Sequence, residues 1–119
     1  MSEESVSEPA SSEIGIEEFQ RVQLRVGTIR RAEAHPNADR LVVLSVDLGE
    51  PAERQIVAGI RAAYALEDLV GRQIVVVANL KPVRLRGVES RGMLLAGSDE
   101  SGLAVVQPGR PLAPGSTVK

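Results

Sequence analysis

Cysteine is absent from this chain of 119 residues, and Phe19 and Tyr64 are its only Phe, Tyr or Trp side chains. The first absence excludes disulfide bonds and thiolate metal sites, and it is compatible with a reducing compartment. The second excludes the row of exposed rings on which single-strand-binding proteins stack bases, at about 1–3 kcal/mol per base. A nucleic-acid partner would therefore have to be held through phosphates and overall shape.

Long apolar runs are also missing, since no segment approaches the roughly 18 residues of a membrane span. The N-terminal stretch MSEESVSEPASSE has neither the basic start nor the apolar centre of a secretory signal. We therefore expect a cytoplasmic protein.

Charge is unevenly distributed along the chain. The formal net charge is −2, yet residues 1–18 hold six acids and no base, which leaves a charge of +4 on the remainder. Residues 1–13 are rich in Ser and Glu and contain no apolar run, so we predict a disordered acidic tail there. The mildly acidic pI is no argument against a polyanionic partner, because what matters is whether the bases gather on one face.

Helical spacing of apolar residues follows the tail. Ile16, Phe19 and Val22 recur at intervals of three, which predicts one or two helical turns with an apolar edge. We expect this edge to pack on the core of the domain, and packing on a second subunit is the alternative.

Period-two alternation then predicts a β-domain. It runs from Val22 to Ala34, and Gly27 inside it predicts a bulge or bend where a sheet coils into a barrel. Further strands are predicted at 41–49, 54–60, 72–80 and 93–98, with a helix at 62–71 and a last apolar run at 103–107. This order is typical of an all-β, five-stranded Greek-key barrel of the OB type, with a short helix between strands 3 and 4 and N- and C-terminal extensions. We predict one such domain over residues 14–119; an open sandwich is the less favoured alternative.

The segment Asn79 to Ser98 places basic residues and glycines between two apolar runs. Between Lys81 and Arg91 the segment contains four basic residues and one carboxylate, Glu89, which gives a local charge of +3. The basic residues are Lys81, Arg84, Arg86 and Arg91. A rim so rich in positive charge indicates an anionic partner. Taken singly, Arg21, Arg54 and Arg72 are interpreted as solvated charges.

Catalytic patterns are incomplete in this sequence. His35 is the single histidine, and its place before Pro36 suits a turn, so we interpret it as structural. Ser90 lies in GVESRG, which has one residue too many for a nucleophile elbow, and Arg91-Gly92-Met93 stands where a phosphate loop needs Gly-Lys-Ser/Thr. Carboxylate pairs such as Asp47 with Glu50 suit solvated turns. We therefore predict a binding module that is not an enzyme and has no cofactor and no metal.

Several motifs, in order and spacing, carry a family resemblance: LRVGTI, HPNADRL, VDLGE, RQIVAGI, LVGRQIVVVANLKP and LRGVESRGMLLA. From about Ile16 to Gly97 the chain resembles the tRNA-binding domain that occurs alone as a dimeric structure-specific tRNA-binding protein. The same domain is appended to methionyl-tRNA synthetases and is found in the endothelial-monocyte-activating polypeptide and in CsaA chaperones. The PGRPLAPGSTVK end resembles the tail of the synthetase appendage.

The resemblance implies an OB barrel that homodimerises and grips the outside corner of tRNA by shape and phosphates, with no DNA expected. The motifs NLKP, SxGM and HPNADRL imply ligand contacts at Asn79, Lys81, Ser90, Gly92, Met93, Asn37 and Arg40; a turn-building role for Asn37 is equally compatible. The bases here are mainly arginines where many relatives have lysines, and arginine also binds phosphate.

Two functions are compatible with that resemblance. A start methionine followed by a polar tail favours a free-standing protein that acts in trans as a tRNA chaperone or as an accessory of an aminoacyl-tRNA synthetase. The alternative is a CsaA-like export chaperone that binds unfolded polypeptides in an apolar pocket near Met93. Salt dependence distinguishes the two, because phosphate contacts release counterions and weaken steeply as salt rises.

Overall fold

The structure, a computed structural model, describes residues 12–119. Most of the predicted acidic tail, residues 1–11, lies outside this range. The helices are α1 (Ile16–Gln20) and α2 (Leu66–Leu69). The strands are β1 (Leu24–Ala34), β2 (Val42–Asp47), β3 (Arg54–Ala58), β4 (Gln73–Val77), β5 (Val83–Leu85), β6 (Val88–Ser90), β7 (Met93–Leu94), β8 (Ala96–Asp99), β9 (Gly102–Val105) and β10 (Thr117–Val118).

An antiparallel sheet in the order β3-β2-β1-β4-β7 forms the barrel, and β10 also pairs with β1. The first half of β1 pairs with β4 and β10, and its second half pairs with β2. A Cβ atom at Gly27 would lie only 2.6 Å from Val46 Cγ1, so the side chains of β2 cross β1 at this glycine. The register shift of the β1–β2 ladder falls slightly later, between Ile29 and Arg31. The predicted OB-type barrel, with its helix between the third and fourth barrel strands, is confirmed.

The core follows from alternation in β2. Val42, Leu44 and Val46 are fully buried, whereas the intervening side chains are half-buried. They pack with Ile29, Ile56, Ile74, Val76 and Leu69 in one cluster, and Leu69 of α2 covers the end of the barrel next to β1. These side chains are all aliphatic, as the near absence of aromatic residues requires.

Predictions from the local sequence pattern were inaccurate where strands change partners. The apolar stretch 93–98, predicted as one strand, is divided into β7, which pairs with β4, and β8, which pairs with β9 in a separate hairpin. The helix predicted at 62–71 is shorter, covering only Leu66–Leu69. The segment between β4 and β7, predicted as a connector, contains the hairpin β5–β6.

The N-terminal apolar edge is also placed differently. Ile16, Phe19 and Val22 are exposed, and α1 contributes no buried residue, so the prediction of core packing was wrong. Helical spacing identifies an apolar edge without identifying what covers it. Here the barrel core is already filled by strand residues, and α1 lies outside it.

Candidate nucleic-acid interface

The basic hairpin, residues 83–90, is formed by β5, β6 and the two-residue turn Arg86-Gly87. Both turn residues have positive φ, 52° and 90°. This is the conformation of a type I′ turn, whose twist matches that of the flanking strands. Arg84 strengthens the turn because its Nη1 donates to the Gly87 carbonyl oxygen at 2.8 Å. The hairpin is therefore regular secondary structure, and its strand β6 lies beside β3.

The predicted cations, Lys81, Arg84, Arg86 and Arg91, are all exposed on or beside this hairpin. Glu89 lies directly opposite Arg84 in the ladder. Ion pairs between residues of the 12–119 range nevertheless occur elsewhere, joining Arg30 to Asp47 and Arg54 to Glu50. The four cations therefore present their charge to solvent.

The first turn of the barrel holds the tip of the hairpin. The ring of His35 is buried, its Nδ1 accepts from the Asn37 N–H at 2.9 Å, and its Nε2 lies 2.9 Å from the Leu85 carbonyl oxygen. Because Nδ1 accepts, the proton belongs on Nε2, which donates to Leu85. Asn37 adds a longer contact, from its Nδ2 to the Arg86 carbonyl oxygen at 3.4 Å. The structural interpretation of His35 is confirmed, and Asn37 lies beside the basic hairpin as expected.

Ser90 and Gly92 were predicted as ligand contacts, but both are buried. Ser90 is 1% exposed; its hydroxyl accepts from the Val57 N–H at 3.0 Å and donates to the Gly92 carbonyl oxygen at 3.0 Å. Gly92 has φ 142°, and a Cβ there would press on Val76 and Ile56. These residues close the barrel between β3 and β7 and leave the surface to their neighbours, including Met93, which is 47% exposed.

Asn79 is exposed, but its amide group already has two backbone partners. Its Oδ1 accepts from the Gln23 N–H at 2.9 Å, and its Nδ2 donates to the Arg21 carbonyl oxygen at 2.6 Å. The side chain thereby ties the end of β4 to the α1–β1 linker. A ligand contact by Asn79 stays a prediction and would have to share these hydrogen bonds.

Arg40 is exposed and lines a cleft of about 760 Å³. Gly59, Ala62 and Ala63 line one side of this cleft, and the β8–β9 hairpin lines the other. The Arg40 carbonyl oxygen accepts from the Arg61 N–H at 3.3 Å, which holds the two loops together. Among the described residues that line this cleft, none belongs to the basic hairpin.

Two arginines interpreted as solvated charges are half-buried and make several side-chain contacts. Arg54 donates to Glu50, to the Ala78 carbonyl oxygen at 2.6 Å and to the Arg91 carbonyl oxygen at 3.0 Å. Arg72 lies over the Tyr64 ring, 4.8 Å from its centre, and donates to Gln107 at 3.1 Å. Arg72 Nε also donates to the Asp68 carbonyl oxygen at 3.2 Å. The sequence carries little signal for either role, because most of these partners are distant in the chain. Arg21 is exposed, as expected.

Three carboxylates are stabilised in the ionised form by fixed donors. The Gly49 N–H, followed by Arg30, lowers the pKa of Asp47. The Arg54 guanidinium lowers the pKa of Glu50, and the side chain and backbone of Ser101 lower that of Asp99. These acids are engaged in turns and ion pairs. Within residues 12–119, no three His, Asp or Glu side chains are grouped to hold a metal ion, and no helix is long and apolar enough to cross a membrane.

Known proteins are similar to this chain in sequence and in architecture. Methionine–tRNA ligase of Thermococcus kodakarensis is 45% identical over 106 residues, which are 89% of this chain and 14% of that protein. The ligase of Methanococcus aeolicus is 47% identical over 105 residues, 88% of this chain and 15% of that protein. The chain thus spans about one seventh of the length of these curated relatives.

Two solved structures have the same fold over nearly their whole length. A MetRS related protein from Pyrococcus horikoshii superposes with a TM-score of 0.83 and 34% identity, covering 91% of this chain and 99% of that one. Chaperone CsaA from Bacillus anthracis superposes with a TM-score of 0.81 and 33% identity, covering 91% and 100%. The family model described as "Putative tRNA binding domain" matches residues 24–117. The chain therefore belongs to this family of tRNA-binding domains, a family of binding modules related to the C-terminal domain of methionine–tRNA ligases and to CsaA.

Proposed function

We propose that this chain binds folded tRNA through phosphates and overall shape, without catalysing a reaction, and acts as a tRNA chaperone or as an accessory of an aminoacyl-tRNA synthetase. One observation carries the proposal: four exposed cations stand on or beside a hairpin held at its tip and base, and their charge is not neutralised by ion pairs within the described range. A fixed arrangement of cations complements a folded polyanion whose phosphates also have fixed spacing.

The residue types at the basic hairpin support recognition of RNA by its shape and phosphates. Three of the four cations are arginines, whose planar forks bind phosphate oxygens in pairs. Exposed Phe19 is on α1 and Tyr64 is covered by Arg72, so neither ring supplies a stacking platform on the hairpin. Recognition of RNA shape through its backbone requires no such platform.

A homodimer is part of the proposal. The N-terminal segment exposes Ile14, Ile16, Phe19 and Val22. Phe19 and Val22 line a small groove together with Val118 of β10. Covering them in a two-fold contact would remove apolar surface from water and place two basic hairpins on one particle.

The experiment that tests RNA binding is a titration of intact tRNA at a series of salt concentrations, compared with a random single-stranded RNA of equal length. We expect preference for tRNA and a plot of log K against log salt with a slope on the order of −3, from about 0.7–0.9 per phosphate neutralised by each of four cations. Equal affinity for both RNAs would contradict recognition of shape, and a flat salt plot would contradict recognition of phosphate.

Peptide binding is the second candidate, favoured by one specific feature. Val83, Leu85 and Met93 are exposed close to the cations, on or next to the basic hairpin. An extended apolar peptide would bury these side chains, and its affinity would change little with salt because few counterions are released. A tRNA competitor that fails to displace such a peptide would separate the two activities.

A further inference from the structure

We propose that Arg54 is a positioning residue for the basic hairpin, and that Glu50 orients it, so that this pair sets the affinity for RNA without touching the RNA. This inference rests on the proposed function for its RNA readout but makes a separate prediction about the free protein. Arg54 is the first residue of β3 and its side chain is 20% exposed.

The guanidinium joins both ends of one segment. Its Nη1 donates to the carbonyl oxygens of Ala78, directly after β4, and Arg91, directly after β6. Residues 79–90, which contain the basic hairpin, lie between these two anchors. A single side chain thereby fixes the separation of the two ends of the segment that contains the hairpin.

Glu50 holds the guanidinium in this orientation. Its Oε1 accepts from Arg54 Nε at 3.0 Å and its Oε2 accepts from Nη2 at 2.8 Å. This two-point contact leaves the remaining edge of the fork directed at Ala78 and Arg91. Lysine has one nitrogen on a flexible stem and cannot reproduce that set of donors.

Two contacts from Gln55, the next residue of β3, also hold the C-terminal end of this segment. The Arg91 N–H donates to the Gln55 carbonyl oxygen at 2.8 Å, and Gln55 Nε2 donates to the Glu89 carbonyl oxygen at 2.8 Å. With His35 at the tip, the hairpin is held along its length by β3 and by the first turn. Ordering the hairpin before RNA arrives removes an entropy loss from the binding step.

The sign of the Glu50 effect separates positioning from simple charge. Glu50 is close enough to Arg91 for the two charges to interact. Glu50→Gln removes a negative charge near Arg91. If charge alone mattered, the attraction between the protein and the RNA phosphates would increase and RNA binding would tighten. Loss of orientation predicts weaker binding.

The first measurement uses the full chain without RNA. We expect Arg54→Lys and Glu50→Gln to accelerate amide hydrogen exchange in residues 83–90 while exchange in β1 and β2 stays unchanged. Arg30→Lys and Asp47→Asn are matched controls, since they alter another arginine–carboxylate pair of the described range in the same way. Exchange in the hairpin as slow in Arg54→Lys as in these controls would overturn the proposal.

The second measurement is tRNA affinity at a temperature where every variant is folded. We expect Arg54→Lys and Glu50→Gln each to weaken binding roughly three- to tenfold, from the ordering of a few released side chains. The salt slope should stay that of the unaltered protein, because all four hairpin cations remain. Tighter binding by Glu50→Gln, or a reduced slope in Arg54→Lys, would overturn the proposal. If the unaltered protein binds no RNA while the hairpin exchange accelerates as expected, the proposed function fails and the positioning role stands.

Discussion

The Nε2 atom of His35 donates to the carbonyl oxygen of Leu85 at 2.9 Å, which joins the first turn of the barrel to a hairpin fifty residues later. This hydrogen bond fixes the position of Arg84 and Arg86, which flank Leu85 in the hairpin. The candidate interface thus depends on buried polar contacts as much as on exposed cations.

Replacing His35 with Ala should destabilise the domain by about 1–3 kcal/mol, because the Leu85 carbonyl oxygen and the Asn37 N–H both lose the partner that the buried ring supplies. Urea unfolding measures the change, and Glu33→Ala on the exposed part of β1 is the control. A His35 variant as stable as this control would contradict the role assigned to the ring.

Replacing Arg84 and Arg86 together with Ala should weaken tRNA binding and flatten the salt slope by roughly 1.5–2, since about two phosphate contacts are lost. The thermal midpoint should hardly change, because both side chains are exposed and the Arg84 contact with Gly87 lies within the exposed turn, outside the barrel core. The double variant Arg31→Ala, Arg110→Ala removes the same charge from exposed positions outside the hairpin. Equal slopes for the two double variants would remove the hairpin from the binding surface.

Replacing Val76 with Asp should unfold the domain, because this side chain is fully buried in the core and an unpaired carboxylate there has no counter-charge. Circular dichroism and NMR dispersion report the loss of structure. Val106→Asp is the matched control, since Val106 is 42% exposed. A folded Val76 variant would show that the core lies on the other face of β4.

The Glu50–Arg54 pair predicts a defined pH dependence of stability. Arg54 lowers the pKa of Glu50 in the folded state below its ordinary value of 4.5. The stabilisation is therefore complete above pH 4.5 and is lost as the pH falls through the lowered folded value. Glu50→Gln should be less stable at pH 7 by no more than about 1 kcal/mol, because Glu50 is 43% exposed and solvent screens the pair. Chemical unfolding across the acid range should show the two proteins converging; a constant difference would contradict this origin.

Dimer formation is expected to depend on the apolar N-terminal segment. Phe19→Asp should produce a monomer at micromolar concentration in sedimentation equilibrium, because a charge would be buried at the two-fold contact. Val70→Asp, at an exposed position on the C-terminal side of α2, should leave the association unchanged. A monomeric unaltered protein would remove the homodimer from the proposal.

Hydrogen-bond partners explain why the candidate site was only partly predictable. The cations of residues 81–91 are visible in the sequence as a local excess of charge, and the structure leaves them exposed. Ser90 was visible only as a polar residue in a motif, and its burial depends on Val57 across the barrel. Arg54 had no local signal, because its carbonyl partners lie 24 and 37 residues away.

The sequence by itself determined the β class, the order of the barrel strands, the aliphatic core and the family, since these depend on alternation and motifs within short segments. Tertiary structure alone decided that α1 lies outside the core, that the 93–98 stretch divides between two sheets, and that Ser90 faces inward while Arg84 faces solvent. The physical reason is that side-chain period is a local property, whereas burial and hydrogen-bond satisfaction depend on which distant strand arrives beside it.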